Sequence, residues 1–96
     1  MNPQYIEDRI NKALVGTDLK VWHTGGDNTF DVLRGDDAMP LHVVDHGSEL
    51  ELLREKAPLH YLFEGGARDF PGLAREIVAA VQRLVEEGVI EDTDSA

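Results

Sequence analysis

Residues 69–88 read Asp-Phe-Pro-Gly-Leu-Ala-Arg-Glu-Ile-Val-Ala-Ala-Val-Gln-Arg-Leu-Val-Glu-Glu-Gly, and this stretch decides the fold. Apolar residues recur at Phe70, Leu73, Ala74, Ile77, Val78, Val81, Leu84 and Val85. Spacings of three and four place them on one face of a helix. Both ends carry stop and start chemistry. Asp69 can cap the first turn, and Pro71 is tolerated there because its missing N–H would have been unpaired anyway. Gly88 can take the left-handed turn that ends a helix, with Val89 following as the apolar residue that folds back. A stripe this apolar needs a sheet or other helices to cover it, so the rest of the chain is read as that cover.

Working outward, residues 59–63 (Leu-His-Tyr-Leu-Phe) read as a strand joined to the helix by the loop 64–68. Before it, Ser48-Glu49-Leu50-Glu51 has the form of a capping box, a hydroxyl acceptor with a carboxylate three residues on. It predicts a short helix that ends by Ala57, because Pro58 cannot continue it. Leu50 and Leu53 would be its core contacts. Pro40 then opens a strand over Leu41–Asp45, where a missing donor falls outside the ladder. Two more strands are expected over residues 18–24 and 28–34, with Gly25 and Gly26 as a hairpin tip. That tip pairs Val21 with Phe30, Leu19 with Val32, Lys20 with Asp31 and Trp22 with Thr29. Apolar residues then meet on one face and opposite charges on the other. At the start of the chain, Asn2 as cap and Pro3 in the first turn predict a helix to about Val15, with Ile6, Ile10, Ala13 and Leu14 inward and Gly16 ending it.

The fold expected is therefore a single α+β domain over residues 1–90, in the order α-β-β-β-α-β-α. It combines a three-stranded antiparallel meander with a fourth strand, packed against the amphipathic C-terminal helix. Residues 91–96 form an acidic tail with nothing to bury, expected to fray. The 96 residues suffice for one modest core.

Charge restricts function more than any motif does. Nineteen acids stand against nine Lys and Arg, a formal −10. Such a chain is repelled by nucleic acid and by anionic membrane surfaces and favours basic partners. Solubility and adaptation to high salt are the bland explanations of the same count. Without cysteine there is no disulfide framework, thiolate metal site or cysteine nucleophile. No basic leader or long apolar run occurs, which makes the cytoplasm the expected compartment.

The chemical motifs are weak. His42 and His46, on one extended strand, would lie roughly 13 Å apart, too far to share one zinc. Asp27, Asp36 and Asp37 fall in glycine-containing turns, where Asp is favoured for its bonds to nearby backbone. Glu64 and Asp69 flank the glycine loop before the last helix and would repel a phosphate there. Ser48 is accounted for as a cap, and no Gly-x-Ser-x-Gly occurs. Residues 75–91 resemble the close of a winged-helix segment, which would imply DNA reading. However, only Arg75 and Arg83 offer cations on that helix, and the chain as a whole repels phosphate.

What remains is a surface. If Leu19, Val21, Phe30 and Val32 face the helices, Trp22, Leu33 and Val44 face the other way, beside Lys20, Asp31 and His42. The expected role is non-enzymatic, with no cofactor and no metal: a small acidic module that binds a protein. A compact inhibitor of a basic or nucleic-acid-binding partner is its concrete form, immunity-type or phage-encoded. Trp22 and Leu33 would anchor it, and Asp27, Asp31, Asp36, Asp37 and Asp45 would supply charge. The alternative is an accessory subunit or homodimer that uses the open sheet face.

Overall fold

In the computed structural model, which describes residues 2–24, 28–47, 49–56, 60–67 and 69–91, two helices flank a run of five strands. The first helix, α1 (Pro3–Ala13), starts as its sequence dictates. Asn2 accepts the Gln4 N–H at 2.8 Å, and Pro3 sits in the first turn. Strands β1 (Leu19–His23), β2 (Thr29–Arg34), β3 (Asp37–Asp45), β4 (Leu50–Lys56) and β5 (His60–Ala67) follow, then helix α2 (Phe70–Glu86). The strands pair antiparallel in chain order, β1-β2-β3-β4-β5. The α+β class, the antiparallel sheet and the helix at each end are those the sequence implied.

One segment differs in kind. Residues expected to form the short helix before Pro58 are β4, the strand between β3 and β5. The reason lies just upstream. His46 N–H donates to Glu49 O at 2.9 Å, so β3 turns into β4 between these two residues, with Gly47 at φ +89. Gly-Ser between apolar runs is a tight hairpin signal, and here it outweighs the capping-box pattern. Glu51 does not reach back to a helix start; its carboxylate meets His46 Nε2 at 3.0 Å. Ser48, the expected cap, lies outside the described residues. Leu50 and Leu52 point to the core, and Leu53 points away from it.

One register and one boundary also move. β1 and β2 pair two residues further along than a Gly25–Gly26 tip requires: Val21 opposes Val32, Trp22 opposes Asp31 and His23 opposes Phe30. A shift of two keeps every side chain on its expected face. The tip itself lies outside the described residues. β3 starts at Asp37, immediately after the two-residue turn Gly35–Asp36, in which Gly35 has φ +60. Pro40 is therefore inside β3. It sits in a bulge where Met39, Pro40 and Leu41 span the space opposite Val32 alone. Its N position turns toward β4, whose pairing with β3 ends at Leu41 and Arg54, so its missing donor costs no ladder bond.

Both helices pack on one face of the sheet. Leu19, Val21, Phe30, Val32, Leu41, Val43 and Leu52 meet Ile6, Ile10, Leu73, Ile77 and Leu84 in one core. Burying a side chain such as Ile77 stabilises by about 1.5–3 kcal/mol. Arg9 ties the helices at the rim: its guanidinium stands 5.8 Å from the Tyr5 ring and 5.7 Å from the Phe70 ring. Helix α2 ends as its sequence implied. Val89 N–H donates to Leu84 O at 2.9 Å and Gly88 N–H to Val85 O at 3.0 Å, with Gly88 at φ +78. The apolar residue that then packs on the core is Ile90, while Val89 stays exposed.

Candidate surface on the open sheet face

Strand alternation sends every second side chain to the face the helices do not cover. Register then aligns them. Trp22 opposes Asp31, Asp31 opposes His42, His42 opposes Leu53, and Leu53 opposes Phe63. These five residues form one row across the whole sheet, roughly 19 Å from end to end at a strand spacing of about 4.8 Å. The aromatic ends of the row are exposed, Trp22 at 60 % and Phe63 at 65 %. Leu33 and Val44 are half-buried on the same face, flanking the row.

The middle of the row is polar and tied together. His42 Nδ1 stands 2.8 Å from Asp31 Oδ1, and its Nε2 stands 2.9 Å from Glu55 Oε2. Ionised carboxylates only accept hydrogen bonds, so both contacts are hydrogen bonds when both ring nitrogens carry protons. The His42 side chain is 16 % exposed. This arrangement links β2, β3 and β4 and commits both nitrogens to neighbouring strands. His46 and Glu51 form a second imidazole–carboxylate contact further along the same face. Among the described residues, no group of three His, Asp or Glu side chains is arranged to hold a metal ion.

The residues expected to contact a partner are thus dispersed. Trp22, Asp31 and Leu33 share the open face. Asp36 and Asp37 are exposed, but they lie at the β2–β3 turn, the end of the sheet opposite the β1–β2 connection. Asp27 lies outside the described residues. Asp45 does not belong to a contact surface: it is 7 % exposed, because its place in β3 puts it on the helix side with Leu41 and Val43. Its Oδ1 accepts the Gly47 N–H at 2.8 Å and so helps to form the β3–β4 turn. Phe63, Leu53 and Glu55 were not singled out from sequence. For Leu53 and Glu55 the signal was the alternation of residues 50–56, obscured by the helix reading of that segment. Phe63 was in an expected strand whose face depended on its pairing with that segment.

The charge of the face follows from this list. Lys20 stands against Asp31, Glu51 and Glu55, with His42 and His46 among them. Three carboxylates against one lysine make the face acidic with the histidines neutral, and protonation of His42 and His46 would balance it. Elsewhere, a groove of about 460 Å³ runs between α1 and α2, lined by Ala13, Thr17, Ala74, Arg75, Val78 and Gln82. Its lining is mainly apolar and brings together no set of polar groups that would orient a ligand. No described helix is long and apolar enough to cross a membrane. No family model, curated protein or solved structure matches this chain.

Proposed function

We propose that this chain is a small protein-binding module that uses the open face of its sheet and favours a basic partner. The observation that carries the reading is the row from Trp22 to Phe63, two exposed aromatics flanking half-buried apolar and acidic residues on an uncovered face. Large exposed aromatics are typical anchors of protein interfaces, and here they stand at the two ends of a row with a polar centre. Asp31, Glu51 and Glu55 add negative charge there, on a chain of formal charge −10. Complementary charge would steer a basic protein to this face and repel a second copy of the same acidic surface. A compact inhibitor of a nucleic-acid-binding protein is the form that fits best, since such a partner carries the cations.

The test begins with affinity capture from the native host, using the full chain and its Trp22→Ala variant side by side. The recovered partner is then purified and the pair is remeasured at low and physiological salt. The expected result is a basic partner, lost with Trp22→Ala and bound more weakly as salt rises. An affinity indifferent to salt would overturn the charge-based reading. A tight dimer of the isolated chain, dissolved by Trp22→Ala in sedimentation, would replace it with the homodimer reading.

A further inference from the structure

The two edges of the sheet are finished differently. On β1, the bonds from Gly35 N–H to Asp18 O and from Thr24 N–H to Thr29 O fix which residues face β2. Leu19 and Val21 direct their backbone groups the other way. Those groups are answered by side chains. Thr17 Oγ1 accepts the Leu19 N–H at 3.1 Å. The Asn11 amide accepts the Val21 N–H at 2.7 Å and donates to Val21 O at 3.1 Å. One amide on α1 thus takes the place of a neighbouring strand and closes that edge to pairing.

On β5, no described side chain does the same. The turn bond between His46 and Glu49 makes Leu53 and Glu51 the residues of β4 that bond to β3. Leu50, Leu52 and Arg54 therefore bond to β5, in which one extra residue bulges between Phe63 and Gly65. The outward backbone groups of β5 thus include those of Phe63 and Gly66, three residues apart. Apolar surface lies on both sides of that edge. Phe63 is 65 % exposed on the open face, and Leu62 is 46 % exposed on the helix side.

We propose that the outer edge of β5 receives an extended segment of the basic partner as a sixth strand. The segment would carry an apolar residue opposite Phe63 and a Lys or Arg in the row of Gly66 and Glu51, whereas Glu55 stands in the row of Tyr61 and adds only to the field. This rests on the protein-binding role proposed above and specifies where the partner's chain runs. Strand addition pairs the outward N–H and C=O groups and covers Phe63 and Leu62 together. The charge pattern comes from β4. Glu51 and Glu55 flank Leu53, the neighbour of Phe63, by two positions on each side. Gly66 stands in the row of Glu51 and has no side chain, so a long cation on a sixth strand can reach across it over about 10 Å, two strand spacings. The bonds to His46 and His42 use Oε1 of Glu51 and Oε2 of Glu55, and each carboxylate retains further acceptor positions.

The experiment uses the full chain, isotopically labelled, and the acetylated peptide Thr-Lys-Thr-Val-Thr-Lys-Thr. Amide hydrogen exchange and chemical-shift mapping are read with and without it. The expected result is slowed exchange at the Phe63 and Gly66 amides, lost when the peptide is N-methylated at alternate residues. A peptide with Glu in place of both Lys should bind roughly threefold to tenfold more weakly, as should the doubly neutralised chain Glu51→Gln, Glu55→Gln, provided its spectrum shows the native fold. Equal binding of the Glu peptide, shifts confined to Trp22 and its neighbours, or no binding at the highest soluble concentration would each overturn the proposal. Trp22→Ala separates the two readings. If that variant loses the captured partner while the peptide leaves β5 unprotected, the face reading stands and the edge reading falls. If the peptide protects β5 and Trp22→Ala keeps the partner, the edge stands and Trp22 is no anchor.

Discussion

The covered and bare faces of the sheet are made from alternate residues of the same strands. On β1, Leu19 and Val21 lie under the helices, while Lys20 and Trp22 point to the other side. On β3, Leu41 and Val43 are buried and His42 and Val44 only partly so. The covered face gains its stability from closely packed aliphatic groups. The bare face is held by cross-strand contacts, chiefly His42 with Asp31 and Glu55. Stability and candidate function are thereby separated by a period of two residues. Changes on one face should unfold the protein, and changes on the other should leave it folded.

The largest effect belongs to the covered face. Ile77 is fully buried at the centre of the α2 stripe. Ile77→Asp would place an unpaired charge in that core and cost more than about 4 kcal/mol, a large part of the stability of a domain of this size. Circular dichroism at room temperature should show a chain without cooperative unfolding. A variant with a normal melting curve would mean that α2 does not form the core.

The next effect sharpens the contrast between the edges. Asn11→Ala removes both bonds to Val21 and reopens the edge of β1. The expected loss is about 1–3 kcal/mol, because the Val21 N–H is left partly buried and unpaired. At about 4–8 °C per kcal/mol for a domain of this length, a thermal melt resolves it readily. The reopened edge should also raise the tendency to self-associate, which light scattering at increasing concentration would detect. A variant as stable as the parent would mean that the amide contributes nothing to closing β1.

How far these features were legible in the sequence depends on the range of the forces behind them. Helix α2 was readable because its signals are local: the Asp69 cap, the stripe and the Gly88 stop lie within one segment. The grouping of Trp22 with Leu33, opposite Leu19 and Val21, was readable too, since a register error of two residues leaves every face unchanged; which of the two faces the helices cover was not. β4 was not readable as a strand, because Ser48 and Glu51 match a helix start while the decisive partner, β3, is supplied by the turn at Gly47. Asp45 was misjudged for a related reason. Acidic residues are normally wet, but its position in β3 is on the covered side, where a single turn bond to Gly47 accommodates it. The row from Trp22 to Phe63 needed four registers at once, which no single stretch of sequence contains.

Trp22→Ala is the counterpart of Ile77→Asp on the bare face. Trp22 is 60 % exposed, so its loss should change stability by no more than about 0.5 kcal/mol. The melting curve and the hydrogen-exchange pattern of the core should match the parent. If the variant instead unfolds, Trp22 is part of the packing, and the division between the faces fails at one of its most exposed residues.

The smallest effect concerns the seam between the sheet and the end of α2. Arg54 of β4 donates through both terminal nitrogens to the Glu87 carboxylate, one bond measuring 2.8 Å. Hydrogen bonding by Arg54 is the main reason the Glu87 carboxyl is held below its ordinary value of 4.5; its slight desolvation opposes this, and the charges of Arg54 and Arg83 assist it. A carboxylate whose folded pKa is lowered contributes stability that is present above its unfolded pKa. That contribution is lost as pH falls through the folded value. The difference in melting temperature between the parent and Glu87→Gln should therefore be small and constant near neutrality and should close only in the acid range. Because the pair is exposed to water, added salt should narrow the same difference at neutral pH. A difference that persisted unchanged into strong acid would show that Glu87 acts by packing rather than by charge. The link between α2 and β4 would then be apolar, like the rest of the covered face.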